Sequence, residues 1–255
     1  LPWAMPWRIG IIGSEAGDVA ASNLTFHFAD PSQVANADWV RPGLASWSWP
    51  TDHASSRNMD TLKKFIDVAA EMGFEYSLVD ANWNTIAPDA MEQLVAYADA
   101  RGVGLAFWYN SAGRHNAVEE EPRNIMSDPT RRRAEFARLQ ALGVKAVKVD
   151  FFHSDKQDVM RLYQDILRDA ADHEVMVVFH GSTIPRGWER TWPNLMSMES
   201  VTGAEFYTFD SRVDYTTLAP MQNTILPFTR NAVGSMDYTP TIYRPQLIPR
   251  QTTNA

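Results

Sequence analysis

Three acidic residues near the ends of apolar runs define the chemistry available to this chain. Ala146-Val147-Lys148-Val149-Asp150 ends in one carboxylate, Leu195-Met196-Ser197-Met198-Glu199 ends in another, and Glu205 follows six residues later. Carboxylates at the C-terminal ends of successive parallel strands build the active sites of β/α barrels. Two of them facing one cavity meet the basic need of glycoside hydrolysis, an acid and a nucleophile or base. Lys148 lies two residues before Asp150 and so shares its face of a strand. Its cation is expected to keep Asp150 ionised and lower its pKa, which suits a nucleophile.

Glu199 and Glu205 flank Ser200-Val201-Thr202-Gly203-Ala204, where Gly203 permits a tight turn that aims both carboxylates into one cavity. Neighbouring carboxylates raise each other's pKa unless a cation lies between them. The pair is therefore a general acid, a hard-metal site, or both. Oxygen-only ligands favour calcium over zinc. Asp80 and His180 end other apolar runs and share the expected rim with Trp47, Trp49, Trp83, Trp108 and Tyr109. Aromatic faces there can stack on sugar rings or fill the core. Asp52, His53, Asp155, Asp158 and Asp237 are further polar candidates that nothing in the spacing sets apart. No G-x-S-x-G elbow and no H-E-x-x-H zinc motif is present.

The elements that must position these groups alternate. Ala45 to Trp49, Tyr76 to Asp80, Gly104 to Asn110, Ala146 to Asp150, Val175 to His180 and Leu195 to Glu199 read as strands. A seventh strand is expected near Thr224-Ile225-Leu226-Pro227-Phe228-Thr229, although its Pro cannot donate to a ladder. Helical stripes lie between, for instance Leu62, Phe65, Ile66, Ala69 and Ala70 after a cap at Asn58 or Asp60 and before Gly73. Other helices are expected from Pro88 to Arg101, from Asp128-Pro129-Thr130 to Gly143, and from Lys156 to Asp172. Strands alternating with helices imply parallel pairing with right-handed crossovers. No Gly-rich phosphate loop follows the first strand, which counts against a dinucleotide-binding sheet. The expected fold is α/β, a (β/α)8 TIM-type barrel truncated before its eighth strand. Residues 1–42 read as an irregular lead-in with one plausible strand at Arg8 to Ile12, and residues 43–255 as the barrel.

At 255 residues the chain matches one barrel-sized domain. A net charge of −8 argues against nucleic acid, which needs a basic face; Arg131-Arg132-Arg133 reads as an exposed stretch of helix. No apolar run approaches the roughly 20 residues of a membrane span. Zero Cys removes disulfides, cysteine catalysis and zinc–thiolate sites. Nine Trp and eight Tyr suit a carbohydrate partner but equally a large core.

Five stretches, PWRIG at 6–10, RPGLASWSW at 41–49, VKAVKVDFF at 144–152, TWPNLMSMESVTGAEF at 191–206 and NTILPFTRNAVGSMDYTP at 223–240, resemble glycoside hydrolase family 97. The resemblance implies a three-part protein of N-terminal β-sandwich, central (β/α)8 barrel and C-terminal β-domain, of which this sequence is expected to hold only the linker (1–42) and most of the barrel (43–255), without the sandwich, the last strand and the C-terminal domain. It also implies a choice between two mechanisms. Inverting α-glucosidases of the family carry a base glutamate after the fifth-strand His and lack the fourth-strand carboxylate. Here His180 is followed by Gly181, and Asp150 ends the fourth strand. That pattern resembles the retaining, α-galactosidase-like branch. It implies Asp150 as nucleophile, Glu205 as acid/base, and Glu199 and Glu205 at a calcium site, while Asp80, Trp83, Trp108, Lys148 and His180, placed on the rim by the strand reading, are the candidates to contact an α-galactoside or oligosaccharide. It implies a periplasmic or secreted bacterial location. The alternatives are an inverting α-glucosidase of the same family and a non-catalytic sugar-binding remnant.

Overall fold

Short-range signals start and stop the helices, and the strands follow in the gaps. The computed structural model describes residues 8–208 and 213–240. Two short helices, α1 (Ala16–Ala20) and α2 (Leu24–His27), precede β1 (Ala45–Trp47). Asn58 then caps α3 (Met59–Met72) by accepting the Thr61 N–H, and Gly73, at φ 70°, ends it in the left-handed conformation that costs glycine little. After β2 (Tyr76–Val79), α4 (Ala90–Asp99) and β3 (Gly104–Asn110), Asp128 caps α5 (Pro129–Leu142) through the Thr130 and Arg131 N–H groups. Then come β4 (Ala146–Asp150), α6 (Gln157–Ala171), β5 (Met176–Phe179), α7 (Trp188–Thr191), β6 (Leu195–Met198) and α8 (Tyr215–Ile225).

The six strands form one parallel sheet in sequence order, β1-β2-β3-β4-β5-β6, curled into a half-barrel. Its two faces divide the labour. Val79, Leu105, Phe107, Val147, Val149, Val177 and Phe179 pack against Leu62, Ile66, Leu94, Phe136, Ile166 and Leu167 of the surrounding helices. In α6 the buried Val159, Tyr163, Ile166, Leu167 and Ala170 recur at helical spacing and turn one stripe to the sheet. Alternate strand residues point the other way, so Trp108, Lys148, Val178 and their neighbours line the concave face in register.

Between Val177 and Val178 the β5–β6 register shifts by one residue. Ser197 consequently lies opposite Val178 and Met198 opposite Phe179, which brings Glu199 beside His180. Because side chains alternate, an unbroken register would have turned Glu199 to the helix side.

Three expectations are corrected. The segment expected as a seventh strand is instead the end of α8 and a 3-10 turn at Leu226–Phe228, where Pro227, lacking an N–H, is tolerated in the first turn. The place beside β6 is taken by Ser235 to Asp237: Met236 bridges Met198 in parallel, and the Asp237 N–H donates to the Met198 carbonyl. Arg8 to Ile12 forms no strand, having no partner strand to pair with among the described residues, and Ile12 is 96% exposed. Arg132 is not exposed: its guanidinium is buried, paired to Asp169 of α6 at 2.6 Å and bonded to the Met126 carbonyl. Its position on α5 faces α6, whereas Arg131 and Arg133 face outward.

The lead-in packs against the barrel. Arg190 donates to the Phe26 and His27 carbonyls, Thr191 to that of Asp30, and the Gln33 N–H to that of Thr191. Among the described residues no helix is long and apolar enough to cross a membrane.

Candidate active site

A cavity of about 290 Å³ opens at the C-terminal ends of the strands, at the small end of ligand pockets. Trp47, Asp80, Trp108, Lys148, Asp150, His180, Glu199 and Glu205 all line it. Its floor is a buried charge network. Lys148 Nζ lies 2.9 Å from Asp80 and 3.8 Å from Asp150, and 4.3 Å above the Trp47 ring. Asp80 also accepts from the Trp47 indole at 2.7 Å and from the Ala81 N–H. Burial opposes the Lys148 charge, but Asp80, Asp150 and Glu205 outweigh it and hold the ammonium above its ordinary pKa.

Asp150 is fixed from two sides. The Trp108 indole donates to Oδ2 at 3.1 Å and the Phe151 N–H to Oδ1 at 2.7 Å. Its pKa is raised, contrary to the expectation from Lys148 alone. Burial is the larger effect, and the lowering by Lys148 and His180 does not offset it. Lys148 sits closer to Asp80, which explains why its grip on Asp150 is weaker than spacing along the strand suggests.

Gly181, at φ 50°, follows His180 and passes close by. A Cβ there would come within 3.0 Å of Asp150 Oδ1 and of the Phe151 nitrogen. A side chain at 181 and a carboxylate at 150 therefore compete for one space.

Glu199 and Glu205 behave as a pair sharing a proton. Burial pushes the Glu205 carboxyl up to about 8, helped by its hydrogen bond to Glu199 and the charge of that group. Glu199 is held below the ordinary value despite burial by His180, by the bond from Glu205, and by the Gly181 N–H at 2.9 Å. The turn that brings them together is not made by Gly203, which lies outside the left-handed region; Ser200, at φ 38°, takes that conformation. Behind them Arg230 gathers the carbonyls of Met198, Glu199 and Ser200 with those of Gly234 and Ser235. One guanidinium thus ties the Glu199 turn to the strand-like segment that carries Asp237.

Asp237 hydrogen-bonds His180 Nε2, while Nδ1 faces Glu199 at 3.5 Å. Burial and Lys148 oppose the imidazolium, yet Glu199 and Asp237 raise the His180 pKa to about 9. One ligand atom from each of His180, Glu199 and Glu205 can be chosen so that all lie within 4.8 Å of one another. The two carboxyl groups, hydrogen-bonded to each other, present oxygens that suit a hard ion such as calcium. The imidazole fits it poorly, since both nitrogens face carboxylates.

The remaining expectations divide. Trp49 lines the cavity and stacks on His53, with ring centroids 4.0 Å apart. Trp83 does not reach the cavity: it is buried in the core against Phe107 and donates to the Trp108 carbonyl. Tyr109 likewise faces the helices and donates to Glu135, because it is one residue out of phase with Trp108. Asp52 accepts from the Ala54 N–H, and Asp155 and Asp158 lie outside the lining. Glu120, Phe151, His153 and Phe206 line the cavity without having been singled out. Three of them lie on irregular segments with no periodicity to read, though Phe151 and His153 directly follow the Asp150 strand end.

The sequence profile of Glycoside hydrolase 97 matches residues 39–201. A "Probable retaining alpha-galactosidase" from Streptomyces bingchenggensis is 39% identical over 255 residues, covering 94% of this chain and 37% of that protein. A "Retaining alpha-galactosidase" from Bacteroides thetaiotaomicron is 31% identical over 258 residues, covering 93% and 36%. The chain thus spans little more than a third of these curated relatives. Among solved structures, a beta-arabinopyranosidase superposes with a TM-score of 0.85 at 38% identity over 93% of this chain and 38% of that one. A family 97 enzyme from Pseudoalteromonas sp. strain K8, in complex with panose, shares the fold at a TM-score of 0.73 and 20% identity, over 92% and 40%.

Proposed function

Because this chain belongs to glycoside hydrolase family 97, we propose that it forms the catalytic core of a retaining, exo-acting hydrolase of α-galactosides, within a complete (β/α)8 barrel. The observation that carries this reading is the placing of Asp150 and a proton-holding Glu205 on one cavity, with Lys148 between them electrostatically. In the first step Asp150 attacks the anomeric carbon as the bond to the leaving oxygen breaks, and the Glu205 proton passes to that oxygen. A covalent glycosyl-enzyme results. In the second step the Glu205 carboxylate takes a proton from water, the water oxygen attacks the anomeric carbon, and Asp150 is released. Two inversions retain the configuration.

A Glu205 pKa near 8 keeps the acid charged with its proton at neutral pH. Burial works against the ionised form of Asp150, while Lys148 and the donors at the Trp108 indole and the Phe151 N–H favour it and aim it at the cavity. Asp80 and Lys148 would meet sugar hydroxyls at the floor, and Trp47 and Trp108 the ring. Gly181 leaves no room for a base beside Asp150, which supports retention over the inverting α-glucosidase alternative. Glu199 and Glu205 would hold calcium, which when bound supplies a positive charge that orients both carboxylates.

The relatives named retaining alpha-galactosidase support the galactoside. The similarity to a beta-arabinopyranosidase favours a second substrate on the same mechanism, since a β-L-arabinopyranoside is an α-D-galactoside without its exocyclic carbon. The test of the mechanism is chemical rescue. In the whole protein, Asp150→Gly should lower turnover of 4-nitrophenyl α-galactoside by at least about 10,000-fold. Added azide should restore turnover and give the β-galactosyl azide, the product of one displacement. Ordinary activity in the variant would remove Asp150 from the mechanism.

A further inference from the structure

The segment after β4 has an unusual backbone. Phe151 adopts φ 69° and His153 φ 36°, both in the left-handed region that L side chains other than Asn, Asp and His rarely enter, so that Phe151 is the unusual one of the two. Between them Phe152 is fully buried, stacked on Tyr163 at 3.9 Å and edge-on to Phe179 at 5.2 Å. The two left-handed residues therefore flank a core anchor, and both of their side chains line the cavity. Their rings lie 5.5 Å apart, and Phe151 also meets the Trp108 ring edge-on at 5.7 Å. Strain of this kind persists only where packing over-determines it, and it clusters at functional sites.

The position of these rings decides what they can touch. The cavity floor, where Asp80 and Lys148 are buried, is closed by the sheet. A sugar whose anomeric carbon meets Asp150 fills that end, and its departing group must point outward. Phe151 is only partly buried and His153 exposed, at the lip next to Asp150. We propose that Phe151 and His153 form the leaving-group subsite, a lip that stacks on the first unit beyond the scissile bond and selects a sugar-like leaving group. Phe151 offers an apolar face to the C–H side of that ring, and the His153 imidazole can bond one of its hydroxyls. The proposal rests on the retaining-hydrolase reading above.

The experiment compares two substrates that share the galactosyl part and differ in what departs. Galactosyl fluoride loses a single atom and cannot touch the lip; an α-(1→6)-galactosyl-glucose loses a whole sugar. In the whole protein, Phe151→Gly removes the ring and accepts the left-handed backbone without strain. The ratio of kcat/KM for the disaccharide to that for the fluoride should fall by about tenfold or more. His153→Asn, a residue that tolerates the same backbone, should lower the ratio less, because Asn can still bond a hydroxyl. Phe151→Tyr, which keeps the ring, should hold the ratio within about twofold of the parent, a contrast that a merely structural role would not produce. An unchanged ratio in Phe151→Gly, with both substrates slowed alike, would overturn the lip and leave the hydrolase standing. Cleavage of neither substrate by the unsubstituted protein would sink the hydrolase reading and the lip with it.

Discussion

At the scale of single residues, the site separates three carboxyl groups by environment. Asp150, Glu199 and Glu205 all face one cavity, yet burial and neighbours push them apart: Glu205 keeps its proton and Glu199 gives its up. Pairs driven apart in this way assign acid and base roles. Followed by carbon-13 NMR in the metal-free chain, the Glu205 carboxyl should titrate near 8. Added calcium should move that midpoint down, because a neighbouring cation favours the ionised form. A midpoint indifferent to calcium would mean that Glu205 is not at a cation site. The binding should be weak, since two glutamates supply only part of the roughly six to eight oxygens calcium prefers. The sign for stability follows from the same shift. A carboxyl raised from 4.5 to about 8 by folding stabilises the fold fully below 4.5 and loses that contribution as pH rises through 8.

At the scale of elements, small departures from regularity aim the chemistry. The one-residue shift in β6 turns Glu199 inward, and Arg230 clamps that turn to the Ser235 to Asp237 segment so that Asp237 meets His180. Helix docking depends on a different charge pair. Arg132 of α5 and Asp169 of α6 are each only 2% exposed and lie 2.6 Å apart. Removing one partner of a buried pair strands the other, so Asp169→Ala should destabilise the chain by about 3–5 kcal/mol. Urea unfolding followed by circular dichroism measures this. A loss below about 1 kcal/mol would show that Arg132 reaches water when its partner is gone.

At the scale of the whole molecule, the half-barrel collects groups from all six strands or their ends, and from the turn after β6 that carries Glu205, into one cavity. The buried Lys148–Asp80 pair on its floor would supply a donor and an acceptor to sugar hydroxyls. Such a floor discriminates between epimers, because the wrong hydroxyl leaves buried polar groups without partners. The whole protein should therefore cleave 4-nitrophenyl α-galactoside at least roughly a hundredfold better than the α-glucoside in kcat/KM. Comparable rates on the two would refute the galactoside assignment and leave Asp150 and Glu205 in place.

The sequence by itself determined the alternation of strands and helices, the ends of α3 and α5, and the arrival of Asp80, Asp150, His180 and Glu199 at strand ends. These depend on caps, glycines and apolar runs that act over a few residues, so they are legible without a partner. Trp83, Tyr109 and Arg132 could not be placed that way, since the face a side chain takes depends on which element packs beside it. Only the tertiary structure decided the β6 register shift, the seating of Ser235 to Asp237 in place of the expected seventh strand, and the pairing of Asp237 with His180. It also decided the direction of the Asp150 shift, because desolvation depends on everything packed around a group while spacing along a strand reveals only the nearest charge.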